Sequence, residues 1–391
     1  MNRLSRVRDD ESGMSYVFIG MGMMAFLSAS MLAIDVGMLM TSRNQAQNSA
    51  DAGALAGATA LVFNDFDDRS PGGPAVTHAI AAAKANAVMG ADVSVGVPDV
   101  EFPNDPSGDP NRVKVTVHRT SERGNPVSTL IASVMAKFFG RPEMKTANIV
   151  ATATAEAASA NAMTCVKPFT IPDKWIEKGT PPWDGDDTYD AFDNKGVPLA
   201  NADVYIPANE PGYTGYNQEI NRGQELVIRA ATGSNITVSF YFSLSIGGMD
   251  GTGGDPYRWN IENCNTSVMR WGDPLIQEPG AMSGPTIQGA DALIARDPGA
   301  YWDQGSKTVR GSAFGHSPRT FPIPLYDPPF YDSGKRNGRT ADLKVANWIG
   351  FFLERTQGNG LYGRIIPISG IRDKNGPNPG NLFPRAIRLV Q

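Results

Sequence analysis

Between Ser12 and Ile34 the chain carries no Asp, Glu, Lys or Arg. At about 1.5 Å per residue, a helix over this run covers roughly 35 Å, enough to cross a hydrocarbon core about 30 Å thick. Helical spacing continues from Asp35 to Leu61, and no proline interrupts before Pro71. This sets the plan of the molecule: an apolar anchor runs into a helical segment, and everything after it is delivered to one side of a membrane. Arg3, Arg6 and Arg8 precede the run, whereas Arg43 is the first basic residue beyond it. Orientation follows Lys and Arg, so the N-terminus is expected in the cytoplasm. A removable signal peptide cut near Ser28 and Ser30 is the competing reading; against it, the apolar run continues unbroken to Asp35.

Small residues recur along the helix. Ala25, Ala29, Ala33 and Gly37 fall every fourth residue, a stripe on which another membrane helix can approach closely, although alanine is also simply common in such helices. Further on, Ala46, Ala50, Ala54 and Ala58 repeat the spacing, with Gly53 and Gly57 on an adjoining stripe. The layout is that of an apolar anchor followed by a small-residue stalk.

The run Ala33-Ile34-Asp35-Val36-Gly37, then Gln45 to Ala58 with its core Ala50-Asp51-Ala52-Gly53-Ala54-Leu55-Ala56-Gly57-Ala58, resembles the N-terminal domain of TadE/TadG-like proteins of the Flp (Tad) pilus assembly system; Gly13 fits as well. The resemblance implies a bacterial inner-membrane protein with its C-terminal part in the periplasm and other pilus-assembly proteins as partners, without cofactor or enzymatic activity. Pilins cut by a prepilin peptidase carry Glu five residues after the Gly, where this chain has Phe18 after Gly13. An uncleaved TadG-like membrane protein is therefore favoured over a pilin subunit. Ile171 to Trp175, Glu278 to Thr286, Ser317 to Arg319 and Gly350 to Glu354 resemble stretches of TadG-related proteins. The Asp-x-Ser-x-Ser loop of a von Willebrand factor A domain, which ends some TadG-like chains, does not occur here.

Net charge is −5 with no basic block, which argues against a nucleic-acid partner, since phosphates need clustered Lys and Arg. The 42 glycines and 29 prolines lie mostly beyond the anchor and point to turns and short strands there. Cys165 and Cys264 are the two cysteines of the chain. Both follow the anchor into a compartment where disulfides persist, so pairing is expected, with free thiols or a metal pair as alternatives.

These features divide the chain into 1–62 (tail, transmembrane helix and stalk), 63–159 (a membrane-proximal α+β unit) and 160–391 (a β-rich distal domain), an α+β protein overall. Expected in the middle part are a helix over Pro74 to Met89, a strand over Asp92 to Phe102, a loop over Asn104 to Asn111 and an alternating half-buried strand over Arg112 to His118. A helix over Ser128 to Phe139, with Leu130, Ile131, Val134 and Phe138 at helical spacing, and a strand over Ile149 to Ala157 complete it. Farther on, Asn235 to Leu244 reads as a strand with Ile236, Val238, Phe240, Phe242 and Leu244 on one face, in a hairpin with Gln224 to Ala230. Thr320 to Tyr326 contains Pro322 and Pro324 and is expected at a sheet edge. Thr286 to Ala295 reads as a helix capped by Thr286 and stopped by Asp297-Pro298; Ala341 to Leu353 and Leu361 to Ile368 read as strands.

No motif selects a catalytic, cofactor or metal site. The acidic stretch from Trp183 to Asn194 could offer oxygen ligands to calcium, but an EF-hand starting at Asp184 needs Gly and Glu where Tyr189 and Lys195 stand. The loop from Asp250 to Asp255 lacks dinucleotide-fingerprint spacing, His78, His118 and His316 are scattered, and Gly280 to Gly284 misses the nucleophile elbow by one position. The leading expectation is a non-enzymatic membrane protein of pilus assembly acting through contacts outside the membrane. The alternatives are a minor pilin-like subunit, or a carbohydrate-binding or hydrolytic module on an anchor, whose signature would be a deep pocket with convergent carboxylates.

Overall fold

The computed structural model describes residues 12–179, 181–193, 195–247, 252–336, 342–377 and 379–390. The N-terminal arginines, Asn194 and the first two residues of the Asp250 to Asp255 loop lie outside them. The described chain is α+β and falls into two compact units. The first takes the opening helix as far as Ala60, Asp67–Glu156 and the chain from Arg388 on; the second takes Leu61–Phe66 and Ala157–Ile387.

In the first unit, helix α1 (Ser12–Phe63) runs unbroken, as its proline-free small-residue sequence allows. Helix α2 (Pro74–Lys84) opens with proline at its first turn, where the missing N–H costs nothing. It stops short of Met89. The Asn86 N–H donates to Ala83 O and its side chain to Ala82 O, and a tight turn follows at Met89 and Gly90, both at positive φ. The expected strand from Asp92 shrinks to β1 (Val100–Glu101), because Pro98 sits in a 3-10 turn over Val97–Asp99. Strand β2 (Arg112–Arg119) buries Val113, Val115 and Val117, the alternation its sequence carries. Helix α3 (Ala132–Phe139) begins later than expected, since Val127–Ser128 pairs with Thr146–Ala147 instead, and it ends at Gly140 in the left-handed conformation. Strand β3 (Ile149–Ser159) pairs antiparallel with β2 over Ile149 to Glu156, in a sheet ordered β1, β2, β3 and the last strand, Arg385–Val390.

The second unit is organised by a closed barrel. Its strands are β4 (Phe169–Pro172), β5 (Glu225–Ala230), β6 (Phe240–Ser243), β7 (Thr320–Tyr326), β8 (Leu343–Gln357) and β9 (Gly360–Ile366). Around the barrel the order is β8, β7, β4, β6, β5, β9, closed by β8 pairing with β9. Helices α4 (Gly254–Glu262), α5 (Ser283–Arg296) and α6 (Pro328–Arg336) belong to the same unit. Trp175, Trp348, Tyr216, Phe169 and Phe351 are among its fully buried side chains.

Four expectations change here. Strands β5 and β6 pair parallel, Arg229 opposite Phe240, and form no hairpin. The expected long strand breaks at a turn in which the Phe240 N–H donates to Thr237 O. Ile236, Val238 and Leu244 are buried as expected, but past that turn the pleat is offset, so Tyr241 and Ser243 are buried while Phe240 and Phe242 lie half-buried. Strand β7 lies inside the barrel between β8 and β4. Its prolines are tolerated because the Pro322 and Pro324 carbonyls face the β4 side, accepting from the Lys167 N–H and the Thr170 hydroxyl. The missing N–H groups face the same side, where pairing with β4 begins only at Leu325. Helix α5 starts a turn before Thr286, whose hydroxyl bonds Met282 O and the Tyr241 and Tyr257 hydroxyls instead of capping.

Candidate functional site

Helix α1 changes surroundings along its length. From Met14 to Ile34, Tyr16, Phe18, Met24, Phe26 and Leu32 are all more than 60 % exposed, and no part of the most apolar window is buried. An apolar cylinder this long is unfavourable in water and suited to lipid, where the helix satisfies its own backbone. Ala25, Ala29, Ala33 and Gly37 are likewise exposed, and a Cβ at Gly37 would meet nothing within 4 Å.

Asp35 marks the change. It is 6 % exposed, and its two carboxylate oxygens accept from the backbone N–H groups of Leu130 (3.0 Å), Ile131 (3.1 Å) and Ala132 (2.6 Å). These N–H groups belong to the first residue of α3, to its N-cap Ile131, which has no side-chain oxygen of its own, and to the residue before it. A carboxylate from 95 residues upstream in the chain therefore supplies the cap and a charge of the sign the helix N-terminus favours.

Beyond Asp35 the helix turns inward. Ser42, Ala46, Ser49, Ala50, Ala54 and Ala58 are at most 1 % exposed. The segment expected as a stalk is the spine of the first unit. A Cβ on Gly53 would stand 3.0 Å from Ala79 O and 3.1 Å from Val115 Cγ1; one on Gly57 would stand 2.7 Å from Val113 Cγ1 and 3.2 Å from Ala75 O. The two glycines thus admit α2 and β2 to close contact. Polar residues of the same run tie it down. The Gln45 side chain accepts from the Met89 N–H (2.8 Å), Gln47 donates to Asp51 (2.8 Å) and to Thr152 O (3.2 Å), and Ser49 donates to Ala83 O (2.8 Å).

The buried charges of this unit are structural too. Asp99 accepts from Arg123 (2.8 Å) and the Gly96 N–H (2.9 Å) and meets His118 Nε2 (3.2 Å). Glu156 receives both Arg112 and Arg388.

In the second unit Cys165 and Cys264 are joined as a disulfide, with Cα atoms 4.3 Å apart. Nearby, the buried Lys167 ammonium donates to Ile261 O and to Asn263 O (2.9 Å), closing the C-terminus of α4. Asp173 is fully buried and accepts from the Tyr205 and Tyr213 hydroxyls (3.1 and 2.7 Å) and from the Lys174 and Tyr216 N–H groups (2.9 and 3.0 Å). Burial pushes its carboxyl up to about 6, against the lowering effect of these four donors. Arg319 spends its guanidinium on the carbonyls of Asp297, Ala300, Leu353 and Glu354. All three groups are consumed by the fold.

In the acidic stretch, Asp184 and Asp187 accept from backbone N–H groups within the loop and Asp186 pairs with Arg229. Among the described residues no group of three His, Cys, Asp or Glu side chains stands close enough to hold a metal ion. A cavity of about 620 Å³ beside the disulfide has Glu262 as its one acidic wall residue, and Glu262 lies 4.0 Å from Arg296. A second, of about 360 Å³, is lined by Arg222, Lys307 and Arg310, without a carboxylate. Neither brings two carboxylates together.

Asp35, Gln45, Gln47 and Ser49 lie within the runs that resemble the TadE/TadG-like domain, but the sequence does not give the contacts each of them makes. The available signal was a lone acid directly after an uncharged span, followed by polar residues interspersed in a small-residue helix. Asp173 and Arg319 lie in stretches that resemble TadG-related proteins, but nothing local in the sequence marks them, or Lys167, as buried.

Compared with known proteins, the chain matches no curated protein and no solved structure. A family model does match, over residues 13–60, which hold both the exposed half of α1 and its buried continuation nearly to the end. The apolar membrane-length helix, Asp35 and the Ala/Gly spine thus lie together in one unit of sequence, and over residues 13–60 this chain carries a TadE/G-like Flp pilus-assembly domain.

Proposed function

We propose that this is a single-pass membrane protein that supports assembly of a Flp/Tad-type pilus through protein contacts made outside the membrane, without catalysis. The observation that carries the reading is the division of α1 at Asp35: an exposed apolar half long enough to span a bilayer continues without a break into the core of a folded α+β unit. A folded body is thereby held rigidly at a membrane surface, as a scaffold for other assembly proteins requires. The N-terminus is cytoplasmic and the two units are periplasmic in the bacterial inner membrane, supported by Arg3, Arg6 and Arg8 ahead of the span.

Deleting the gene should remove Flp-type fibres from the cell surface. Full-length protein should restore them, and a secreted version beginning at Val36 should not. Fibres at normal number in the deletion strain would contradict the role. Orientation is read separately, from a reporter active only outside the cytoplasm and fused after Gln391, which should be active; a stable but silent fusion would reverse the topology.

A further inference from the structure

We propose that α3 is an interfacial helix: it lies in the headgroup region of the membrane that α1 crosses, with anionic phospholipid as its occupant. The proposal rests on the reading of residues 12–34 as a membrane span. Asp35 directly follows the last residue of the uncharged run, and it holds the first three N–H groups of the α3 segment. The start of α3 is therefore fixed at the depth where hydrocarbon gives way to headgroups. The sequence of this segment has apolar residues at helical spacing beginning with Leu130, and Leu130 is 62 % exposed.

Charge completes the match. Lys137, Arg141 and Lys145 are exposed on and just after α3, opposed locally by Glu143. A short helix with an apolar stripe and a basic flank, at the foot of a spanning helix, has the composition of an interfacial segment, and its basic residues are attracted to an anionic lipid surface. The exposed apolar surface of α1 continues past Asp35 to Val36 and Met40, so the proposed contact extends a surface already suited to lipid.

The test uses full-length protein in liposomes of phosphatidylethanolamine and phosphatidylglycerol, spin-labelled at Phe26→Cys, Leu130→Cys or Ser107→Cys. Ser107 is an exposed reference on the turn before β2, where Val113 packs on Gly57, about six turns or 33 Å along α1 from Asp35. Labels at Phe26 and Leu130 should be several-fold less accessible to a water-soluble nickel relaxant than the label at Ser107. In phosphatidylcholine alone, shielding at Leu130 should weaken while that at Phe26 persists. A label at Leu130 as accessible as at Ser107, with Phe26 shielded, would overturn the proposal and leave the span intact. A water-accessible Phe26 label would overturn both. Shielding at Leu130 that disappears as the protein is diluted in lipid would make a second copy of the chain the occupant, and would also overturn it.

Discussion

Along α1 the first unit is packed with small side chains: Ala46, Ala50, Ala54 and Ala58 are buried together with Ala75, Ala79 and Ala83 of α2 and the valines of β2. The core of the second unit instead holds large rings, with Trp175, Trp348, Tyr216, Phe169 and Phe351 fully buried. A buried methylene contributes only about 0.8 kcal/mol, so the first core depends on many close backbone contacts. The second gains more from each ring, but it must also satisfy the polar groups that come with a barrel of mixed strand directions; hence Asp173, Lys167 and Arg319 are buried with their donors and acceptors matched. One core is intolerant of added volume, the other of lost partners.

That contrast can be broken most forcefully at the disulfide. Closing a loop of about a hundred residues should stabilise the second unit by roughly 4–5 kcal/mol in the chain-entropy model. Reductant should lower the unfolding midpoint of that unit and leave the helical signal of the first unchanged. Equal loss in both, or freely alkylatable thiols in protein isolated under oxidising conditions, would contradict it.

Next comes pH. The folded state holds the Asp173 proton more tightly than the unfolded chain does, with the carboxyl pushed from 3.8 up to about 6. Its stabilising contribution is therefore complete below about pH 3.8 and is lost as pH rises to about 6, an effect on the order of 3 kcal/mol. Denaturant titrations across that window should show Asp173→Asn flattening the slope for the second unit. A slope unchanged by the substitution would assign it to other groups.

In the first unit, Gly57→Val should cost about 1–3 kcal/mol, because the added carbon falls 2.7 Å from Val113 Cγ1 and 3.2 Å from the Ala75 carbonyl oxygen. Gly37→Val, on the same helix with nothing within 4 Å, should leave the stability of that unit unchanged. Similar losses at both positions would mean that helix propensity, not packing, is being measured.

The smallest effect is expected at the exposed stripe of Ala25, Ala29, Ala33 and Gly37. Ala29→Leu should leave folding intact and reduce crosslinking to a membrane partner. Undiminished crosslinking would remove helix contact as the reason for the stripe.

The same contrast explains what could be read from sequence. The course of α1 and the alternation of β2 are local periodicities, visible without a neighbour. The spine was legible as a pattern, but its burial was not, because four-residue spacing does not say whether the facing helix comes from the same chain. In the barrel, the turn at Thr237 reverses which aromatic residues face inward, and the placement of β7 depends on β8 and β4, which arrive from distant parts of the sequence. Long-range pairing also decides Asp35, whose partners are supplied by Leu130, Ile131 and Ala132.

On the proposed reading, α1 divides at Asp35 into a lipid-embedded half and the core of a folded unit. Protease protection of the protein in sealed vesicles, with the two units facing outward, separates those halves. Limited digestion should cut exposed turns such as Asp105 to Asp109, and exhaustive digestion after unfolding the outer units should leave one protected fragment that contains residues 14–34 and ends close to Asp35. Cleavage between Met14 and Ile34 in intact vesicles, or a protected fragment reaching well into the Ala46 to Ala58 spine, would contradict it.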